Sequence, residues 1–260
     1  MRNNKNVRSE SKVYFNLLKE LTISGFKLRY KGSILGVFWS VLKPAAMLLV
    51  SYIVFSTIFH VKTEHYVLFL FLGIILWNFF VESTTISMSN IMEKRSIIRA
   101  IYFPRNILVL SSVLNAFIML LINICLLAIL LIVYGITISF YVLFFIPILL
   151  LLFILSVGVA YLLSALYVKY RDIVHIWGVI LQVGFWVTPI VYNITMVPQR
   201  YISAYMLNPL ASIIVSSRDV IIYGSMPSPS IIVTVIMCIA IYFFGRYVYL
   251  RMSRYFAEEL

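Results

Sequence analysis

Residues 107–134 read ILVLSSVLNAFIMLLINICLLAILLIVY, a long run without a single charged side chain. At about 1.5 Å of rise per residue, a helix of this length crosses a bilayer core of about 30 Å. Other apolar runs of similar length precede and follow it, so the sequence predicts an all-α integral membrane protein with six transmembrane helices. We expect these helices over residues 37–59, 66–88, 107–134, 140–168, 173–193 and 230–250.

The composition of the chain leads to the same class. It is 63% hydrophobic and 12% charged, against roughly 25% charged residues in an average soluble domain. A net charge of +12 might suggest nucleic-acid binding, but the cations are distributed unevenly between the predicted loops. The predicted cytoplasmic side holds 18 of the 21 lysines and arginines, and the other side holds Lys62, Arg200 and Arg218. The positive-inside rule therefore predicts cytoplasmic termini and assigns the charge to topology rather than to nucleic acid.

The residues before the first predicted span are polar and basic. Apolar positions with helical spacing predict an amphipathic helix that lies in the membrane interface: Tyr14, Leu17, Leu18 and Leu21. The cations of residues 26–33 suit the anionic head groups of the cytoplasmic leaflet. We expect three regions: a cytoplasmic N-terminus with this interface helix (1–36), a transmembrane domain (37–253) and a cytoplasmic tail (254–260).

A short basic segment, residues 90–106 (NIMEKRSIIRAIYFPRN), separates the second and third predicted spans. Asn90 and Glu93 have the spacing of a capping box, and Pro104 disfavours helix at the preceding residue. The pattern predicts a short amphipathic cytoplasmic helix. It is either a solvated segment whose charge fixes topology or a contact surface for a partner. The other cations decide the topology without these four. This favours the interpretation of the segment as a contact surface for a partner.

Residues 195–229 are half apolar, which is unusual for an exposed loop. Their apolar positions from Leu210 to Ile221 have helical spacing, with Arg218 and Asp219 turned away from that face. Non-helical backbone at membrane depth persists only where protein or a water-filled cavity satisfies its polar groups. We therefore expect one or two re-entrant half-helices on the external side. The alternative is an external loop with one interfacial helix.

The sequence contains no signature of enzymatic catalysis. No GxxxxGK[ST] motif occurs, so the chain cannot bind ATP through a P-loop of its own, and HVKTEH at residues 60–65 does not match a zinc signature. We expect no catalytic residue, no metal site and no bound cofactor. Glu82 is an intramembrane acid, for which a functional role and a structural role near the interface are both open. Several amides serve either as interhelical partners or as pathway residues: Asn78, Asn115, Asn123 and Gln182.

Aromatic residues make up 16% of the chain. Many lie at predicted span boundaries, as in the aromatic belts of membrane proteins. Others lie within the spans, where they either pack in the core or stack against pyranose rings along a channel. The candidate channel aromatics are Phe79, Phe80, Tyr161, Phe185 and Trp186.

Five motifs occur in one order along the chain, and together they identify a family. They are FKLRYKGSILGVFWSVLKP (26–44), SIIRAIYFPRNILVLSSV (96–113), VKYRDI (168–173), FWVTPIVYN (185–193) and LNPL (207–210). The chain resembles the membrane subunit of bacterial ABC-2 type polysaccharide exporters, the O-antigen and teichoic acid permeases. The resemblance covers roughly residues 20–253. It implies a homodimer in the inner (cytoplasmic) membrane with two ATPase subunits, which bind ATP and Mg and drive export of an undecaprenyl-diphosphate-linked glycan.

The resemblance also implies roles for individual residues. The segment between the second and third spans takes a role in coupling to the ATPase through Glu93, Arg95, Arg99, Tyr102, Phe103 and Pro104. Four cations at the cytoplasmic mouth match the geometry of a lipid diphosphate: Arg29, Lys31, Arg95 and Arg99. Topology and contact with lipid head groups would also explain these cations. The half-helices form an external gate with Thr188, Pro189, Asn208 and Pro209.

O-antigen is the expected cargo, with teichoic acid or capsular polysaccharide as the alternative. An intramembrane lipid-linked glycan transferase would need positioned carboxylates or a catalytic histidine, and Glu82 alone supports it weakly. A secondary transporter would show inverted repeats and several intramembrane charges, and neither is evident. A drug or lipid exporter of the ABC-2 type is a nearer competitor, which the polysaccharide-type motifs disfavour.

Overall fold

The computed structural model describes residues 2–33, 35–58, 63–94, 104–253 and 256. Within these residues the chain forms helices joined by turns, without a strand. The α-helices are α1 (Arg2–Tyr30), α2 (Phe38–Tyr52), α3 (Tyr66–Glu93), α4 (Asn106–Val133), α5 (Phe145–Lys169), α6 (Ile173–Val187), α7 (Gln199–Tyr205), α8 (Pro209–Ile221) and α9 (Ile231–Met252). A π-helical turn, Ile53–Ile58, continues α2, and 3-10 turns at Phe140–Phe144 and Ile194–Met196 precede α5 and α7.

Helix α3 forms the centre of the bundle. It contacts α2, α4, α5, α6 and α8, and its side chains from Leu68 to Phe80 are buried with the exception of the half-buried Asn78. A helix that is apolar on every side is stable only when other elements surround it. Among the described helices, the second predicted span therefore supplies the largest share of the core.

Five helical stretches are long and apolar enough to cross a membrane, judged by length and composition: Phe38–Ser56, Tyr66–Glu93, Asn106–Val133, Phe140–Lys169 and Ile231–Met252. They match five of the six predicted spans. The remaining prediction, 173–193, is too long, because α6 ends at Val187 after about 23 Å. Thr188 adopts an extended conformation (φ −87°, ψ 140°), as expected for a residue that precedes a proline.

The predicted helix start at Asn90 is wrong. Helix α3 continues through Asn90 to Glu93 and is capped at Lys94. The Asn90 amide donates a hydrogen bond to the Ser112 hydroxyl of α4 at 2.6 Å instead of capping a new helix. The contact between α3 and α4 therefore decides the conformation at Asn90, and the local capping pattern does not. The rest of the predicted coupling helix, residues 95–103, lies outside the described residues.

Helix α1 packs lengthwise along the first half of α4. The Asn106 amide donates to the Tyr14 hydroxyl at 3.1 Å. Eleven residues further along α1, a Cβ at Gly25 would lie 2.8 Å from the amide nitrogen of Asn115. The predicted apolar positions Tyr14, Leu17, Leu18 and Leu21 are half-buried, and the cations Lys12, Lys19 and Lys27 are exposed. A helix therefore covers these positions and packs this side on the bundle, and its place in the membrane interface stays a prediction.

The turn between α1 and α2 depends on two glycines. Gly32 has φ 80° and Gly36 has φ 47°, conformations that glycine adopts without a steric penalty. The pair, which has GxxxG spacing, therefore lies in the turn that separates α1 from α2.

Pro44 lies inside α2, where it cannot donate the usual backbone hydrogen bond to Ser40. The Asn123 amide of α4 donates to that carbonyl oxygen at 3.4 Å and to the Met119 carbonyl of its own helix at 2.9 Å. In a membrane, neighbouring side chains must replace such lost bonds. Of the two roles open for Asn123, the structure supports the interhelical one.

Helices α5 and α9 cross at a pair of glycines. A Cβ at Gly158 would lie 2.7 Å from the Tyr242 Cα, and a Cβ at Gly245 would lie 2.0 Å from the Gly158 carbonyl oxygen. Small residues permit such close approach of membrane helices. The crossing holds α9 against the core and brings Tyr242 beside Tyr161, with ring centroids 6.5 Å apart.

Candidate functional site

A cavity of about 320 Å³ lies between α1, α2, α3 and α4. We call it the polar cavity because charged and amide side chains face it: Arg29, Lys43, Asn78, Glu82 and Asn123, together with Ser40. A second pocket of about 430 Å³ shares Arg29, Ser40 and Lys43 and adds Ser33 and Trp39. Both pockets therefore meet at the turn between α1 and α2.

Arg29 and Glu82 form an ion pair across the polar cavity. Both side chains are mostly buried, with relative exposures of 33% and 23%. Glu82 lies about 24 Å from the first residue of α3 and about 17 Å from its last, at 1.5 Å per residue. The end of α1 thus brings a guanidinium to a half-buried acid that lines the cavity. The structure gives Glu82 the partner Arg29, and both the functional and the structural role of Glu82 stay predictions.

Lys43 is the second cation of the polar cavity. It lies one residue before Pro44 in α2, and it has no ion-pair partner among the described residues. Asn123, which lines the same cavity, leaves its side-chain oxygen without a hydrogen-bond partner within the described part of the chain. The cavity therefore offers an ammonium group and a guanidinium group to an anion, and the Glu82 carboxylate balances one of the two charges.

A second polar site surrounds residues 188–191, where the chain is buried but not helical. We call these residues the 188–191 break. Side chains from other parts of the fold satisfy its backbone carbonyls. The Tyr66 hydroxyl donates to Val191 at 2.6 Å. The Arg218 guanidinium donates to Pro189 and to Ile190, the latter at 2.8 Å.

Arg218 is the most constrained of these groups. Its side chain is 2% exposed, and it also donates to the Phe69 carbonyl of α3, from Nε at 3.2 Å and from Nη2 at 3.1 Å. The guanidinium carbon lies 3.4 Å from the centre of the Phe69 ring. The expectation that Arg218 turns away from the apolar face of α8 is wrong. Buried carbonyls need donors, and one guanidinium supplies several.

The predicted gate residues are neighbours in space. Asn208 caps α8 by accepting from the Leu210 backbone N–H at 3.1 Å, and its amide donates to the Thr188 hydroxyl at 3.3 Å. Pro189 lies in the break, and Pro209 begins α8. The structure therefore joins the end of α6 to the start of α8 through one side-chain hydrogen bond.

The predicted channel aromatics divide into two groups. Three are buried against other aromatic rings of the same chain: Phe79 on Phe117, Phe80 on Trp77 and Trp177, and Tyr161 on Tyr249 and Tyr242. Phe185 is half-buried, and Trp186 is 59% exposed. The side chains of the second group are more exposed than those of the first.

The predicted coupling and entrance residues are only partly described. Arg95, Arg99, Tyr102 and Phe103 lie outside the described residues. Glu93, two residues before that gap, and Pro104, directly after it, are exposed, as is Lys31. Burial lowers the pKa of Lys94, while the neighbouring Glu93 carboxylate opposes that shift.

Sequence reasoning missed the roles of Lys43, Tyr66 and Arg218. The signal for Arg218 was an arginine inside the apolar stretch ASIIVSSRDVII, where a charge needs internal partners. The signal for Lys43 was a cation followed by a proline in the first turns of a predicted span. Tyr66 had no comparable signal, because tyrosine at a span boundary is already explained by the aromatic belt.

Comparison with known proteins covers nearly the whole chain. A family model described as ABC-2 type transporter matches residues 16–222. Two proteins from Klebsiella pneumoniae named "O-antigen export system permease protein RfbA" are 31% and 30% identical over 247 residues, 95% of this chain and 95% of each relative. A protein of the same name from Myxococcus xanthus is 27% identical over 216 residues, 82% of this chain and 83% of that relative. The family match spans both the polar cavity and the 188–191 break.

Proposed function

Because the chain belongs to the ABC-2 type transporter family, we propose that it is the permease subunit of an ATP-driven exporter of undecaprenyl-diphosphate-linked O-antigen. The observation that carries this proposal is the similarity to three O-antigen export permeases, two of which match over 95% of both chains. The multi-pass helical bundle and the absence of a P-loop in the sequence agree with a transport subunit that relies on a separate ATPase.

In this proposal the lipid diphosphate enters at the polar cavity. Arg29 and Lys43 face it, and the exposed Lys31 lies close by in the chain. Guanidinium and ammonium groups form charge-assisted hydrogen bonds with phosphate oxygens. An arriving diphosphate would compete with Glu82 for Arg29. Arg29 would therefore exchange the Glu82 carboxylate for the diphosphate on binding and return to the carboxylate on release. Arg95 and Arg99 would attract the same group from the cytoplasmic side.

Both termini lie in the cytoplasm and the protein resides in the inner membrane, in keeping with the cation count. Residues 1–36 form the cytoplasmic N-terminus with the amphipathic interface helix, 37–253 the transmembrane domain and 254–260 the cytoplasmic tail. Helix α6, about 23 Å long, completes six crossings together with the extended residues that follow it. Two termini on the same side of the membrane require an even number of crossings.

The external gate is formed by α7, α8 and the 188–191 break. Thr188, Pro189, Asn208 and Pro209 join these elements, and Arg218 fixes the break to α3. Helix α8 is buried along most of its length, which suits a re-entrant half-helix better than a loop on the surface. Opening would require the contacts around the break to change.

Two copies of the permease enclose the path for the glycan, and two ATPase subunits bind ATP and Mg on the cytoplasmic side. Phe185 and Trp186 are the aromatic residues that we assign to the path, since their side chains are more exposed than those of the other channel candidates. ATP-driven closure of the ATPases pushes on residues 93–104. Since α3 ends and α4 begins beside this segment, the push shifts the inner ends of both helices.

Replacement of Arg95 and Arg99 by alanine tests this function in cells that lack their own copy of the gene. We expect the wild-type chain to restore surface polysaccharide. The double variant should lower it at least tenfold, with lipid-linked glycan accumulating inside while the complex continues to hydrolyse ATP. The measurements are surface polysaccharide, the accumulated lipid-linked glycan and ATP hydrolysis.

Arg251→Ala is the matched control, because Arg251 is an exposed cation near the end of α9 outside the coupling segment. Immunoblots of membrane fractions establish that each variant is present. Normal export by the double variant would contradict the coupling role, and absence of any polysaccharide defect in cells without the gene would contradict the export function.

A further inference from the structure

A groove of about 580 Å³ runs along the outside of the bundle between α4, α5 and α9, with Tyr14 of α1 at one end. It is separate from the polar cavity, with which it shares no lining residue. None of the predicted roles uses it except the channel role of Tyr161. The groove has a polar end and an apolar end.

The polar end gathers hydroxyl, amide and guanidinium groups from four helices: Tyr14, Asn106, Tyr161, Tyr242 and Arg246. Asn106 donates to the Tyr14 hydroxyl at 3.1 Å, and Arg246 donates to the Tyr242 hydroxyl at 3.5 Å. Arg246 is exposed and has no ion-pair partner within the described part of the chain. This end therefore places a guanidinium beside several hydrogen-bonding groups, with no acidic partner among the described residues.

The apolar end is built from the same faces of two helices. On α5 the lining runs from Tyr161 back to Leu150, about 16 Å along the axis, and on α9 it runs from Arg246 back to Ile239, about 10 Å. Phe243 and Leu150 are exposed on the outer surface. Asn106 begins α4, so the polar end lies at the level where that helix starts, and the apolar walls extend from there toward the middle of the spans.

We propose that this groove binds an anionic phospholipid of the cytoplasmic leaflet, with its phosphate at Arg246 and an acyl chain along α5 and α9. Basic pockets between transmembrane helices on the cytoplasmic side suit such head groups. A free phosphate would leave the apolar walls unused. A zwitterionic lipid carries its own cation, which gains nothing from Arg246. The combination of Arg246, which has no ion-pair partner among the described residues, with apolar walls that extend toward the middle of the spans favours the anionic lipid.

Binding of phosphatidylglycerol to the purified full-length chain in detergent tests the proposal, with phosphatidylcholine of the same acyl chains as the comparison. We expect phosphatidylglycerol to raise the unfolding temperature and to be retained in native mass spectra. Arg246→Gln should weaken this binding about fivefold, as expected for the loss of one cation near the membrane surface. Arg251→Gln should leave it unchanged, because Arg251 lies five residues further along α9 and does not line the groove.

A second variant keeps the test informative if Arg246→Gln is unstable. Leu150→Trp fills the apolar end and leaves the polar end intact, so it should also displace phosphatidylglycerol. Equal binding of the two lipids, or unchanged binding by both groove variants, would overturn the proposal. Equal binding of soluble glycerol phosphate would identify an anion site instead, and competition by a lipid-linked diphosphate would identify a substrate site. Both results would overturn it. Because the readout is lipid binding, failure of the export function would leave it unaffected.

Discussion

Replacing Arg218 by methionine is expected to lower the unfolding temperature of the purified protein by about 10 °C. The change leaves the Pro189 and Ile190 carbonyls buried without their guanidinium donor, at a cost of about 1–3 kcal/mol for each unsatisfied group. A loss of about 2–6 kcal/mol, at roughly 2–4 °C per kcal/mol, corresponds to a shift of about 10 °C in a chain of this size. Arg218→Lys should recover little of the loss, because an ammonium group cannot match the planar set of donors of a guanidinium.

Gly73→Ala provides a second route to the same site. A Cβ at Gly73 would lie 2.6 Å from Nη2 of Arg218 and 3.2 Å from the Ile190 carbonyl oxygen, so this single methyl group should displace the guanidinium. Gly178→Ala in α6, where a Cβ meets nothing within 4 Å, and Arg200→Met, at an exposed arginine in α7, are the controls. If Arg218→Met and Gly73→Ala unfold at the same temperature as these controls, the guanidinium does not hold the 188–191 break.

Lys43→Gln and Glu82→Gln in the polar cavity are expected to change the affinity for the lipid diphosphate in opposite directions. Lys43→Gln removes a cation without breaking an ion pair in the described part of the chain. It should weaken binding of the lipid diphosphate about tenfold, since charge-assisted hydrogen bonds contribute about 1.5–3 kcal/mol. Glu82→Gln removes the carboxylate that competes for Arg29. It should strengthen diphosphate binding and lower the stability of the protein. The measurements are the substrate concentration at half-maximal ATP-dependent transport and the unfolding temperature.

Lys27→Gln is the control for these variants, because Lys27 is exposed on α1 two residues before Arg29 and lines neither pocket. It carries the same charge change close to the same helix end. A Lys43→Gln variant that matches Lys27→Gln in transport, or a shift in the same direction for Lys43→Gln and Glu82→Gln, would show that the polar cavity does not receive the diphosphate.

The sequence was sufficient for the features that depend on local pattern. Runs of apolar residues predict where helices cross a membrane, and the five stretches of sufficient length and apolar character bear this out. The amphipathic helix before Gly32 followed from spacing alone. The end of α6 was placed too late because the apolar run continues beyond the proline that ends the helix.

The sequence was not sufficient for contacts between distant residues. Arg218 reaches Phe69 across 149 positions in the chain, and no short-range pattern encodes which carbonyls a buried guanidinium meets. The ion pair between Arg29 and Glu82 depends on how α1 packs along α4, which the apolar stripe does not specify. At Asn90 the capping-box pattern was misleading, because the Asn90 amide donates a hydrogen bond to Ser112 of the neighbouring helix α4.

The most direct test is transport by sealed vesicles that contain the purified chain, its ATPase subunit and lipid-linked O-antigen. With ATP supplied on the side of the ATPase, the glycan should appear on the opposite face, and without ATP or without the ATPase subunit it should stay where it was. Movement of the glycan without ATP, movement driven by an ion gradient alone, or glycan transfer by the chain in the absence of the ATPase would contradict its assignment as the permease of an ATP-driven exporter.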